Sequence, residues 1–289
     1  MLLTDLFSHR SRVAQHPIFK DACAIWDFAS ESGDRCFDKS IVDRPYHGAF
    51  AGTGGNAISR SPTFYGTAIR NSNDGTNRRV DLGSITSSDM LSGVPSGSLS
   101  VFWHGYYRST GASSFWPRLI EKTNGGGGAQ GWVANIYESS AQLQMYAGGF
   151  SWGFAHGLTS DQYATFVWKM KSGAQEAYVN GISIGTGATS FSFSSTTTNA
   201  ALTNWNHSTD REWHHDNNIV AVWPRALTDV EVLALHNDAM NMRFRYVMPI
   251  RFPIQGAAPP IGWGGTINEI SDGGVNEITN ANIQSVNEI

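Results

Sequence analysis

Cleaving a glycosidic bond calls for two carboxylates facing each other across a groove, one to protonate the leaving oxygen and one to act as nucleophile or base. The acids of this chain are not spaced for that work. Glu31 and Asp34 fall in a Ser/Gly turn, and Glu121, Glu138, Glu176 and Glu212 each stand apart from other acids. His214, His215 and Asp216 form the one histidine cluster. Neighbours on a strand point to opposite faces, so a solvated or interfacial pair is expected there rather than joint metal ligation. Gly52, Gly54 and Gly55 lack the following helix and the Lys-Ser/Thr of a phosphate-cradling loop. Aromatic plates remain. Trp116, Trp152 and Trp213 lie in Gly/Ser/His-rich stretches that read as loops, where an indole can stack on a sugar ring or anchor a protein interface. The chemistry on offer is recognition rather than catalysis.

Such residues need a scaffold, and the sequence describes one built from sheets. Charged residues make up 15% of the chain, and Gly, Ser, Thr and Asn divide it into short apolar runs. A length of 289 residues accommodates one large all-β domain with appendages. Strands are expected at 132–137, 143–146, 163–170, 177–184 and 202–205, with turn-rich pieces at 125–128 and 196–199. In the third of these, Ala164, Phe166, Trp168 and Met170 alternate with Thr165 and Lys169. That period of two packs one face and turns the other to solvent or another sheet. The apolar run 219–223 meets Pro224, so a strand ending there is the expectation. Thr228 and Glu231 then make a capping box ahead of Val232, Leu233 and Leu235, which predicts one short closing helix. Among ten tryptophans, Trp103, Trp168 and Trp223 sit on strands and are expected to fill the space between two sheets.

Landmarks in order along the chain resemble laminin-G-like domains of the concanavalin A-like lectin and glucanase superfamily. Residues 24–28, with Gly33 and Asp38 after them, resemble the family's first strand and its Gly/Asp turn. Ser98-Leu99-Ser100-Val101-Phe102-Trp103, following Asp81-Leu82-Gly83, resembles a later strand. Tyr178-Val179-Asn180-Gly181 is similar to the family hairpin, and Asn180-Gly181 suits the positive backbone angles of a tight turn. The strand, the Arg225-Ala226-Leu227 turn and the capped helix resemble the family's last elements. The resemblance implies a two-sheet antiparallel jelly-roll β-sandwich over 21–240. An N-terminal arm occupies 1–20 and an extended C-terminal arm 241–289. Laminarinase-type relatives carry Glu-x-Asp-x-x-Glu on one strand. That motif does not occur here, and no enzymatic activity is expected. Laminin-G-like relatives carry calcium on Asp side chains and loop carbonyls, which implies Asp210, Asp216 and Asn217 as calcium candidates. No other cofactor is expected.

The ends set the expectations about partners. An apolar-Asn-Glu-Ile unit occurs at 267–270, 275–278 and 286–289, beyond an Ala-Pro linker at 255–260. Units this short cannot build a core, and they suit strand addition to a neighbouring subunit. A sandwich with such arms is similar to the concanavalin A-like proteins of tailed-bacteriophage virions. That resemblance implies a non-enzymatic structural virion protein, a capsid decoration or cement protein folded in the host cytoplasm. Its partners would be the major capsid protein or other virion subunits, and a homo-oligomer is expected. Attachment is assigned to Leu6 and Phe7, to Arg243, Phe244, Tyr246, Ile250 and Phe252, and to Ile270, Ile278 and Ile289. The alternative is a carbohydrate-binding host-recognition module on a phage tail or fibre, reading glycan through Trp116, Trp152 and Trp213.

Other partners are disfavoured. A net charge of −4, with no basic cluster beyond Arg78-Arg79, offers no footprint for nucleic acid. No run approaches the ~20 apolar residues of a membrane span, and the first residues lack the apolar core of an export signal. Cys23 and Cys36 are expected to be free thiols, because a large domain has core enough without a staple.

Overall fold

The computed structural model describes residues 16–28, 35–40, 45–51, 58–70, 78–109, 116–123, 131–204, 211–241, 267–271 and 274–278. The chain divides into two compact units, 1–247 and 248–289, described separately below.

The first unit is an all-β, two-sheet antiparallel sandwich. Across the first sheet run β14 (Ile182–Gly187), β13 (Gln175–Val179), β12 (Gln162–Lys171), β7 (Ser98–Tyr107), β16 (Asp216–Trp223), β5 (Gly66–Arg70) and β4 (Ser59–Thr63). β1 (Ala24–Asp27) also pairs with β16. Across the second run β11 (Phe150–Ala155), β10 (Gln142–Ala147), β9 (Trp132–Tyr137), β8 (Arg118–Lys122), β15 (Thr198–Leu202), β6 (Arg79–Ile85), β3 (Gly48–Ala51) and β2 (Arg35–Cys36). One α-helix, α1 (Asp229–Met240), follows β16.

Alternation along β12 explains how the layers form. Ala164, Phe166, Trp168 and Met170 all enter the core between the sheets. Trp103 of β7 stacks on Phe166, ring centroids 4.7 Å apart. The opposite face of β12 meets the helix rather than solvent or another sheet. Val167 joins Phe102, Ala221 and Trp223 in a second apolar cluster with Leu227, Val232, Leu235 and Ala239. Thr165 Oγ1 lies 2.9 Å from His236 Nδ1, and Lys169 Nζ donates to Asp229 at 3.0 Å. Trp223 therefore packs outside the first sheet, stacked on Phe19 at 5.3 Å, and not between the sheets as expected. Phe19 belongs to a 3-10 turn, Pro17–Phe19, and joins this outer cluster.

Local signals set the element ends. Asn180 (φ 50°) and Gly181 (φ 78°) adopt the positive angles of the expected tight turn between β13 and β14. The strand expected at 202–205 ends at Leu202, where Thr203 turns to φ 68°, and residue 205 lies outside the described residues. Thr228 Oγ1 accepts from the Glu231 amide while the Glu231 carboxylate accepts from the Thr228 amide, completing the capping box. Leu233, expected on the buried stripe, is 47% exposed, and Ala239 takes its place. Removing the cap hydroxyl with Thr228→Ala is expected to cost about 1 kcal/mol in urea unfolding. Cys23 and Cys36 are buried free thiols, and burial pushes the Cys23 thiol up.

Among the described residues of the second unit, β17 (Ile267–Ser271) and β18 (Gly274–Ile278) form an antiparallel pair. Its register sets Ile267 opposite Ile278, Asn268 opposite Glu277, Glu269 opposite Asn276 and Ile270 opposite Val275. Two residues, Asp272 and Gly273, separate the paired Ser271 and Gly274. Asp-Gly is a favoured two-residue hairpin sequence. The first two repeats, expected to add to another chain, pair with each other.

Candidate functional site

A cleft of about 470 Å³ opens on the second sheet near its β2 edge, lined by Phe37, His47, Gly48, Ala49, Ala51, Asp81, Leu82 and Gly83. Register explains its location. Val80 and Leu82 point into the core, so Asp81 and Gly83 take the outer face, and Ala49 and Ala51 pair beside them with Asp81 and Arg79. Alanine and glycine leave a low floor. Phe37, 40% exposed, supplies an aromatic wall, with His47 edge-on to it at 5.4 Å and Lys39 Nζ 5.4 Å from its centroid.

One carboxylate shapes the segment that carries these walls. Asp38 Oδ1 accepts from the amides of Ile25 and Ser40, and Oδ2 from Tyr46, each at 2.8 Å. Its own amide donates to His47 Nδ1 at 3.1 Å. An imidazole that accepts at Nδ1 carries its neutral-state proton on Nε2, which leaves His47 with an N–H donor. Asp81 Oδ1 accepts from Gly83 at 2.9 Å, and Oδ2 lies 3.7 Å from Arg79 Nη2. A carboxylate has about four lone-pair positions, so Asp81 retains acceptor capacity toward a ligand. An aromatic plate, a donor and an acceptor above a small-residue floor can hold the apolar face and hydroxyls of a sugar ring.

The three tryptophans expected to stack on sugar have other duties. Trp213 is fully buried, edge-on to Trp103 at 5.7 Å and Trp168 at 6.4 Å. Trp213 belongs to the core between the sheets, so the expected loop tryptophan is a core residue. Trp152 pairs across from inward-facing Met145 and packs on Phe191 at 5.1 Å, closing one end of the core. Trp116 is half-buried on the outer face of the second sheet. It stacks on Tyr137 at 5.4 Å, and the Arg211 guanidinium lies 4.4 Å from its ring centroid.

The histidine pair is buried, not solvated. His214 and His215 precede β16 in irregular chain, which lets their rings sit 4.1 Å apart instead of on opposite faces. Glu138 Oε1 lies 3.7 Å from His214 Nε2 and 3.4 Å from His215 Nε2. Ligand atoms of the three residues lie within 4.8 Å of one another, a geometry that suggests a metal. Tautomers oppose it. His215 Nδ1 accepts from the Arg108 amide at 3.1 Å, and nearby His156 Nδ1 from the Leu158 amide at 3.1 Å. Their neutral-state protons therefore sit on Nε2, and in His215 that atom faces Glu138. Glu138 Oε1 and the Nε2 atoms of His214 and His215 face one another within ion-pair distance but make no hydrogen bond. Burial pushes His214 and His215 down to about 3, lowers His156 and raises Glu138.

Two of the three calcium candidates, Asp216 and Asn217, are engaged in the fold. Asp216 pairs with Arg108 at 2.8 Å and Arg70 at 3.6 Å. Asn217 Oδ1 accepts from Trp103 Nε1 at 2.7 Å, and its amide donates to the Ile69 carbonyl at 3.1 Å. Two cations already pair with Asp216, which lowers its availability as a calcium ligand. Asp210 lies outside the described residues, as do Leu6, Phe7, Arg243, Phe244, Tyr246, Ile250, Phe252 and Ile289. Ile270 and Ile278 lie on β17 and β18. Phe37, His47 and Asp81 were not singled out as site residues by sequence reasoning, although Asp38 and Asp81-Leu82-Gly83 stood out as landmarks. Among the described residues no helix is long and apolar enough to cross a membrane.

No protein-family model matches the chain, and no curated protein matches it. Solved structures do. Domain 4 of AbnA, an extracellular arabinanase from Geobacillus stearothermophilus solved with arabinotriose, matches at 14% identity and TM-score 0.53. That match covers 75% of this chain and 98% of the arabinanase domain. The binding domain of botulinum neurotoxin DC in complex with SialylT matches at 12% identity and TM-score 0.52, over 76% of this chain and 51% of that one. Trypanosoma rangeli sialidase in complex with sialic acid matches at 10% identity and TM-score 0.52, over 76% and 33%. The chain thus spans about half of the toxin domain and a third of the sialidase. At these identities the likeness is one of fold, and that fold is a β-sandwich consistent with the concanavalin A-like, jelly-roll class.

Proposed function

We propose that this chain is a non-enzymatic carbohydrate-binding sandwich module whose sugar site is the Phe37, His47 and Asp81 cleft. The observation that carries this reading is the cleft itself: an exposed aromatic wall, an imidazole and a carboxylate above a floor of Gly48, Ala49, Ala51 and Gly83. The arabinotriose, SialylT and sialic acid complexes of the structural neighbours support it as a precedent of fold. Binding without catalysis suits a cleft in which Asp81 is the one carboxylate among the lining residues. On a glycan array, Phe37→Ala is expected to weaken every glycan bound by the wild type about tenfold or more, with unchanged thermal unfolding. Full retention of binding by Phe37→Ala overturns the assignment.

A second reading takes its support from the resemblance of the sandwich and its arms to tailed-phage virion proteins. The module is then displayed on a tailed-phage particle as a decoration protein, with the major capsid protein or another virion subunit as partner and residues beyond the helix as its attachment. Deleting residues 256–289 is expected to abolish incorporation into particles. Undiminished incorporation contradicts it.

A further inference from the structure

Register arranges the polar groups of the cleft. β2 pairs Cys36 with Gly48, so one rung further on Phe37 stands opposite His47, the rings edge-on at 5.4 Å. β3 pairs Ala49 with Asp81, which puts His47, two residues before Ala49, diagonal to Asp81 on the outer face. Diagonal neighbours of an antiparallel pair lie roughly 7–8 Å apart. One sugar ring resting on Ala49 bridges that gap with an oxygen toward each group.

The two groups have opposite hydrogen-bonding sense. His47 Nδ1 accepts from the Asp38 amide at 3.1 Å, and the Asp38 carboxylate holds that stretch in place through the amides of Ile25, Ser40 and Tyr46. The backbone thereby fixes the neutral tautomer, and the exposed imidazole offers Nε2–H as a donor. Asp81, as a carboxylate, only accepts. Its Oδ1 takes the Gly83 amide at 2.9 Å, and Arg79 Nη2, 3.7 Å from Oδ2, is beyond hydrogen-bonding reach. Lone pairs therefore remain for a ligand.

We propose, on the sugar-site reading above, that His47 and Asp81 are the specificity-determining pair of the cleft and that they select neutral glycans. His47 donates to one sugar oxygen, while Asp81 accepts from a sugar hydroxyl. A hydroxyl satisfies either group, because it both donates and accepts. A sugar carboxylate or sulfate satisfies His47 alone, since at Asp81 it brings like charge and no proton. Arg79 softens that repulsion without supplying the missing proton.

Two binding measurements and one spectrum test the pair. On a glycan array, Phe37-dependent binding is expected to favour neutral glycans over their carboxylated or sulfated counterparts by about tenfold or more, and Asp81→Asn is expected to narrow the difference. Methyl glycosides of glucose, galactose, mannose and arabinose are then titrated beside their monodeoxy and monodeoxyfluoro analogues. At one sugar position the deoxy analogue is expected to bind about tenfold more weakly while fluorine, a weak acceptor without a proton, restores part of the loss, a distinction that His47→Phe removes. At another position the deoxy and fluoro analogues are expected to be equally weak, and Asp81→Ala levels them with the parent sugar. Long-range proton–nitrogen correlations of the wild type are expected to show His47 as the Nε2–H tautomer. Phe37-dependent binding that favours acidic glycans, analogue patterns indifferent to both variants, or an Nδ1–H tautomer overturns the selection and leaves the sugar site standing. Absence of all glycan binding overturns both. Thermal unfolding serves as the folding control in each variant.

Discussion

Trp213→Ala is expected to lower the unfolding free energy by about 3–5 kcal/mol, measured by urea denaturation, while protein that remains folded binds glycan as before. Trp213 is fully buried against Trp103 and Trp168, in the centre of the core that joins β7 and β12 to the opposite sheet. Truncation removes the transfer free energy of an indole and leaves a cavity that the surrounding strands fill only in part. A solvent-facing loop tryptophan would behave in the opposite way, with binding lost and stability retained. A destabilisation below about 1 kcal/mol would return Trp213 to the loop reading.

Stability is expected to fall steeply as the pH drops below the ordinary histidine range. His214 and His215 have folded pKa values near 3, against 6.5 for the unfolded chain. Between those values the unfolded chain binds protons that the folded chain refuses. Stability is therefore fully present above about pH 6.5 and is lost progressively toward pH 3. Two protons taken up on unfolding reduce the folding constant by up to about a hundredfold per pH unit. His156, lowered by burial, acts in the same direction. Glu138 acts in the other: its pKa is raised, so its contribution is present at low pH and is lost as pH rises through the folded value. Urea unfolding from pH 7.0 down to about 4.5 should show the slope, and His214→Gln with His215→Gln should flatten it by up to two protons. A wild-type slope unchanged in that double variant would contradict the buried neutral cluster.

What could be read from the sequence follows from the range over which each signal acts. The alternation of β12, the Asn180-Gly181 turn and the Thr228 capping box depend on a few neighbouring residues, and all three occur as expected. Burial of Trp213 depends on where an irregular segment passes, and no local period records that path. The cleft is harder still. Phe37, His47 and Asp81 come from three stretches that meet only because Asp38 gathers the amides of Ile25, Ser40 and Tyr46 and β3 pairs with β6. The landmarks at Asp38 and Asp81 lie beside and within the cleft, without indicating that the stretches carrying them meet. In the tail the repeats are visible in the sequence, and the pairing of the first two with each other is not.

The sugar-site assignment is tested most directly by mapping amide chemical shifts during titration with the glycan that the array shows to be bound best. Shift changes are expected to concentrate at Phe37, His47, Ala49, Asp81 and Gly83 and to vanish in Phe37→Ala. Changes centred instead on Trp116 and Tyr137, or shifts that persist in Phe37→Ala, would contradict it.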